Sequence, residues 1–180
     1  MIARISVSLL LFVGTLAASP AWSQGRELST HFHVSGDVER KISFDLNKLR
    51  ALPATTANVT YFASGQVVNA TFYGALLWDV LRAAGIKVDP AIRNDILRKF
   101  VVVTGTDGYH AVFGVGELDP RFGGAQIVVA YGQNGQLTLG EDGFARIVAP
   151  GDKQGGRFVS NIVKIEVHGT DDVNDRGWRH

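Results

Sequence analysis

Only one stretch of this chain carries a sustained helical apolar stripe. Leu76, Leu77, Val80, Leu81 and Ala84 recur at helical spacing, with Asp79 and Arg82 off the stripe. Gly85 follows, where a left-handed residue can close a helix. Around this one helix the chain is short, β-branched or alternating. Residues 31–36, 42–46, 58–72, 100–104, 109–113 and 126–131 all read as strands. One good helix and one weaker helix stand among many short strands. The expectation is one α+β domain, mainly β.

The strands differ in what they ask of their surroundings. Phe32 and Val34 share one face of the first strand, and His31 and His33 share the other. Two histidines on one face can bind a metal, but no third ligand stands nearby, so a solvated pair is the first reading. Residues 47–52 suit a short turn of helix that Pro53 stops. In the stretch 58–72, Gly65 marks a turn or bulge. Trp78 is expected in helix packing. A second, weaker helix is expected from Asp89 as N-cap, with Pro90 as first residue, to about Arg98. Residues 100–104 are almost continuously β-branched and are expected to be buried on both faces. Residues 114–119 suit a short helical turn. Asn134-Gly135 is the strongest hairpin signal, with Leu137 and Leu139 alternating on the return.

Residues 1–23 stand apart. Arg4 supplies a positive start, residues 5–18 an apolar run, and Ala21 and Ser23 the small positions before a cleavage point. This reads as a secretory signal peptide rather than a membrane anchor, so the protein is expected to be periplasmic or secreted. Residues 24–168 then form the domain, and residues 169–180 a polar, poorly ordered tail. The leader holds one of the 18 basic residues and none of the 17 acidic ones, so the mature chain is formally neutral. Nothing in that balance favours nucleic acid, or a membrane surface once the signal is cleaved. The chain has no cysteine. Thiolate nucleophiles, thiolate metal ligands and redox dithiols are therefore excluded.

The best candidate for a site lies within residues 144–167. Two strand-like runs flank a loop with three glycines, Lys153 and Arg157. Glycines let backbone N–H groups approach a ligand, and two cations among them suit an anion. From the residues alone the loop reads first as a polar connection between core strands and second as an anion site. No standard catalytic motif accompanies it: no nucleophile elbow, zinc-protease helix, Walker loop or dinucleotide fingerprint. Glu117, Asp119, Glu141 and Asp142 read as solvated turn carboxylates rather than an acid–base pair. His110 reads as a satisfied, partly buried histidine.

Six pieces, in order and spacing, resemble the molybdopterin-binding domain of the sulfite oxidase family. They are His33-Val-Ser-Gly-Asp-Val-Glu, Leu46-Asn-Lys-Leu-Arg-Ala-Leu-Pro, and the helix Gly74-Ala-Leu-Leu-Trp-Asp-Val-Leu-Arg-Ala-Ala-Gly. Then come Gly105-Thr-Asp-Gly-Tyr, Ala130-Tyr-Gly-Gln-Asn-Gly-Gln-Leu, and Ala145-Arg-Ile-Val-Ala-Pro-Gly leading into Val163-Lys-Ile-Glu-Val. The resemblance covers residues 32–167 and implies that family's fold, with a mixed sheet and one main helix. It also implies where a cofactor would sit. Arg157 matches the basic residue of the family's glycine-containing loop, with Gly155 and Gly156 beside it and Lys153 near it. Ser160 stands where the family has a second basic residue. Ala63 or its neighbour stands where the family's molybdenum-ligating cysteine lies.

Two functions follow from the resemblance. One is a non-catalytic exported module that holds a small anionic ligand, of the pterin-phosphate kind, or a periplasmic protein partner. The other is a molybdopterin-dependent oxidoreductase with molybdenum held by the pterin dithiolene alone. The missing thiolate favours the first. Molybdopterin stays open as a cofactor, whereas molybdenum ligated by the protein is not expected.

Overall fold

A computed structural model describes residues 27–171. The leader, and the tail beyond Asp171, lie outside the described residues. Nine strands divide between two sheets. The first sheet is five-stranded and mixed. It holds β1 (His31–Gly36), β2 (Ile42–Asp45), β5 (Lys99–Gly105), β6 (His110–Gly114) and β9 (Ile162–Gly169), in the order β2-β1-β9-β5-β6. Its one parallel pairing joins β1 to β9. The second sheet is four-stranded and antiparallel. It holds β3 (Ala54–Ala63), β4 (Gln66–Leu76), β7 (Val128–Gln133) and β8 (Arg146–Val148), in that order. The expected mixed sheet is thus the first of two.

The long hairpin β3–β4 closes on Ser64 and Gly65, whose φ angles of 50° and 80° make both central residues left-handed. Such a turn matches the twist of the flanking strands, and glycine at its second position costs nothing. Alternation then decides the faces. Ala57, Val59 and Tyr61 are buried, whereas Thr56, Asn58, Thr60 and Phe62 are exposed.

The predicted main helix is α2 (Leu77–Ala84), which begins where β4 ends. Leu77, Val80, Leu81 and Ala84 are fully buried, in one cluster with Phe32, Phe72, Val101, Val103, Phe113, Ile147 and Ile165. Gly85, at φ 73°, closes the helix by donating its N–H to the Leu81 carbonyl at 2.9 Å. Trp78 packs half-buried against the cluster. Two shorter helices are α1 (Leu46–Arg50), capped by the Asp45 side chain, and α3 (Val115–Leu118), in the expected helical turn.

Three expectations are corrected. The helix expected from Asp89 does not form; only Asp95–Arg98 make a 3₁₀ turn. The Asp89 side chain accepts from Ala91 N–H at 2.8 Å and its own N–H donates to Asp95, so the segment folds back on itself. Asn94 is left-handed at φ 55°, and Ile92 and Leu97 are exposed, so no apolar stripe holds a helix to the core. β5 is fully buried on one face only: Val101 and Val103 are covered, while Phe100 and Val102 are half-buried. Both its neighbours are antiparallel, so no crossover helix has to cover the second face. Finally, Asn134 and Gly135 do form the left-handed turn, but no return strand follows. Asn134 instead turns toward β4: its side chain accepts from the Thr71 N–H and its own N–H donates to the Thr71 carbonyl.

Candidate functional site

The loop from Gly151 to Arg157 lies between β8 and β9 and is fastened on both sides. Ile147 donates its N–H to the Val159 carbonyl at 2.8 Å, and Phe62, near the end of β3, donates to the Lys153 carbonyl at 2.9 Å. Phe158 is buried with its ring 4.5 Å from that of Tyr61. Gly155, Gly156 and Arg157 form a single 3₁₀ turn above this contact. A side chain at Gly155 would meet the Tyr61 ring at 3.1 Å and the Ala63 methyl at 3.5 Å, so the ring would have to give by a few tenths of an ångström to admit one. Gly156 has open space where a side chain would go, and its carbonyl accepts the Tyr109 hydroxyl.

Arg157 dominates the electrostatics. Its Nε and Nη2 donate to the two carboxylate oxygens of Asp152 at 2.8 and 2.7 Å, a two-point grip on one oxyanion. Its Nη1 donates to Glu117 Oε1, on α3, at 3.1 Å. The guanidinium lies 4.9 Å from the centre of the Phe113 ring on β6. The Asp152 hydrogen bonds, opposed by burial and helped by the charges of Asp152 and Glu117, raise its pKa above the usual arginine value. The side chain stays 39% exposed, so it can be reached from solvent. A shallow cleft of about 450 Å³ opens beside it, lined by Gly151, Asp152, Lys153, Gln154, Gly156 and Arg157. Lys153 is exposed there, and its side chain has no hydrogen bond or ion pair among the described residues.

Of the sequence-derived residues, Lys153, Gly156 and Arg157 meet at the cleft. Gly155 lies beneath them against Tyr61 and Ala63. Ser160 does not join them: its hydroxyl donates to Asp142 Oδ1 at 2.8 Å, and Asp142 also pairs with Arg146. Ala63, matched by resemblance to the cysteine position, is directly beside the loop.

Sequence reasoning missed the cage around Arg157. Phe113 and Glu117 come from β6 and α3, far along the chain, and no local pattern ties them to the loop. Tyr109 was visible within Gly105-Thr-Asp-Gly-Tyr, but its hold on Gly156 was not.

The solvated-carboxylate reading is corrected for three of its four residues. Asp119 is fully buried, and Arg121 folds over it with its backbone N–H, Nε and Nη2 at 2.7–3.2 Å. Those bonds, led by the guanidinium, hold the Asp119 carboxyl below its ordinary 3.8 against the opposing effect of burial. Glu117 serves Arg157, and Asp142 serves Ser160 and Arg146; Glu141 alone is exposed. His110 is exposed rather than partly buried. His31 and His33 are exposed with their rings 4.8 Å apart, edge to face. Among the described residues, no group of His, Asp and Glu is placed to hold a metal ion.

Comparison with known proteins places this architecture. The chain is similar over 80% of its length to the sulfane dehydrogenase SoxCD from Paracoccus pantotrophus, at 21% identity and a TM-score of 0.65. It spans 40% of that longer chain, and the likeness is one of fold. A search of the curated proteins found no match. The family model described as "Oxidoreductase molybdopterin binding domain" matches residues 23–175. The chain therefore belongs to the oxidoreductase molybdopterin-binding domain family.

Proposed function

We propose that this chain is a non-catalytic binding module for a small anionic ligand of the pterin-phosphate kind, and that the protein supplies no ligand to molybdenum. The observation that carries the reading is the fork of Arg157. It grips the Asp152 carboxylate at two points, which is the geometry a phosphate or carboxylate ligand would take. Binding then exchanges one oxyanion for another. Lys153 is the first cation an incoming anion meets, and the exposed Gly156 leaves the backbone of the turn accessible.

The donor set does not fit a metal held by the protein. The chain has no cysteine, and Ala63 beside the loop offers only a methyl group. A methyl group has no lone pair to donate to a metal ion. Asp152 and Glu117 set the cost of binding, because an anion must displace at least the first. The affinity should therefore be modest, on the order of micromolar to millimolar. On the leader at residues 1–23, we place the module in the periplasm, with a mature start at Gln24; intact mass of the exported protein checks this.

The test has two arms. Elemental analysis of protein purified from its native compartment is expected to give no stoichiometric molybdenum. NMR titration with a phosphate ester is expected to shift residues 151–157 in the wild type, with weaker binding in Arg157→Ala. Near-equimolar molybdenum surviving gel filtration would overturn the first part. Equal affinity in both proteins, or shifts clustered elsewhere, would reduce the loop to a connection.

A further inference from the structure

β3 is the outermost strand of its sheet and runs for ten residues. Its register with β4 sets Ala63 opposite Gln66 and alternates from there. Ala57, Val59 and Tyr61 turn their side chains to the core and their backbone groups to β4. Ala54, Thr56, Asn58 and Thr60 turn their side chains to solvent and their N–H and C=O groups away from the sheet. Phe62 shows that direction, since its N–H leaves the sheet for the Lys153 carbonyl. Among the described residues no backbone partner meets the rest of this edge, from Ala54 to Thr60.

Exposed edges are usually short, charged, bulged or broken by proline. The other edges follow that rule: β2 has four residues and ends in Asp45, β6 has five, and β8 has three. β3 has none of these protections. No Asp, Glu, Lys or Arg occurs between Arg50 and Asp79, and the β3–β4 register has no break.

We propose that β3 pairs antiparallel with β3 of a second copy of this chain, about a two-fold axis through Ala57. That register sets Thr56 opposite Asn58 and Ala54 opposite Thr60. Each such pair exchanges two backbone hydrogen bonds. The side chains argue for a second copy as the occupant. On this face, Thr60 already donates to its cross-strand partner Asn69 at 2.6 Å, and Thr71 to its partner Asn58 at 2.7 Å. The Thr56 hydroxyl and the Asn58 amide nitrogen have no partner among the described residues. The two-fold brings one against the other twice, repeating the Thr–Asn pairing of the sheet. An edge without charge sets no like charges together across the axis, whereas a charged peptide would find no counter-charge. The closed, isologous contact joins two four-stranded sheets into one.

Sedimentation velocity over a concentration series is expected to show a monomer–dimer equilibrium. Thr56→Lys, solvent-facing in the monomer, should weaken it by about tenfold or more without lowering the monomer's melting temperature. Amide exchange in the wild type provides a second reading that needs no variant. The Thr56, Asn58 and Thr60 amides should exchange fast when dilute and slow as concentration rises. A monomer at every concentration, or a dimer that Thr56→Lys leaves intact, would overturn the proposal. Protection of these amides that ignores concentration would also overturn it, pointing to a strand supplied from within the chain.

Discussion

The β3–β4 hairpin and the loop from Gly151 to Arg157 touch, yet they are held by opposite means. The hairpin carries no charged residue, and its inner face is buried. Its register is set by alternation and by one two-residue turn, and a slip by one residue would put its apolar face in water. The loop buries none of its own residues fully, the nearest buried one being Phe158 just after it, and a guanidinium between two carboxylates gives it its shape. Apolar burial is worth about 25 cal/mol per Å² and involves no charge for salt to screen. Exposed ion pairs are worth roughly 0–1 kcal/mol and are screened. The hairpin can therefore serve as a fixed wall, while the loop can change partners cheaply. That division suits the proposed exchange of Asp152 for an anionic ligand.

The largest effects are expected on the apolar side. Phe72→Ala on β4 empties a fully buried position and should cost about 3–5 kcal/mol in chemical denaturation. Leu77→Ala and Leu81→Ala should cost about 2–5 kcal/mol each, and a loss below about 0.5 kcal/mol at both would mean that α2 is held by another face.

Asn161 tests a boundary between the two regimes. It is buried just before β9 in a left-handed conformation, φ 53°. Its side chain accepts from Ser29 and donates to the Glu27 carbonyl and the Thr106 hydroxyl. Asn161→Ala should cost roughly 1–3 kcal/mol from those stranded groups and release residues 27–29 to faster amide exchange. Unchanged exchange at Ser29 would show that the segment is held by something else.

The charged side should barely register in stability. Asp152→Asn is expected to change it by less than about 1 kcal/mol, because Arg157 is well exposed. A larger loss would mean that the ion pairs build the loop rather than only shape it. Acid titration separates the buried carboxylates from this exposed set. Asp119 and Asp95 both have folded pKa values below the ordinary 3.8, Asp119 chiefly through Arg121 and Asp95 chiefly through the Asp89 N–H. A depressed folded pKa gives stability that is complete above the unfolded value and lost as pH falls through the folded one. Stability should thus be flat in these groups down to about pH 5 and fall below about pH 4. Replacing Asp119 by Asn should flatten that acid limb.

This comparison also explains what was legible in the sequence. The helix from Leu77 to Ala84, the turn at Gly65, the Asn134-Gly135 turn and most strands rest on local periodicity and backbone conformation, and they formed near where the residues indicated, whereas the return strand expected at Leu137 and Leu139 did not. The loop's glycines and cations were visible for the same reason. The helix expected at Asp89 failed because capping residues were present without an apolar face for tertiary packing to hold. The cage around Arg157 was invisible because β6 and α3 bring Phe113 and Glu117 to it only after folding. Ser160 was placed by its match to a basic position, and its commitment to Asp142 depends on the turn after Leu139, which no local signal announces.

The central claim is that Arg157 is an anion-binding group held in check by Asp152. Isothermal titration of a phosphate ester into the wild type and Asp152→Asn tests it most directly. Removing the competing charge while keeping the side chain's shape should tighten binding by about 3–30-fold, and Arg157→Ala in the same background should abolish the gain. Equal or weaker binding in Asp152→Asn would contradict the account.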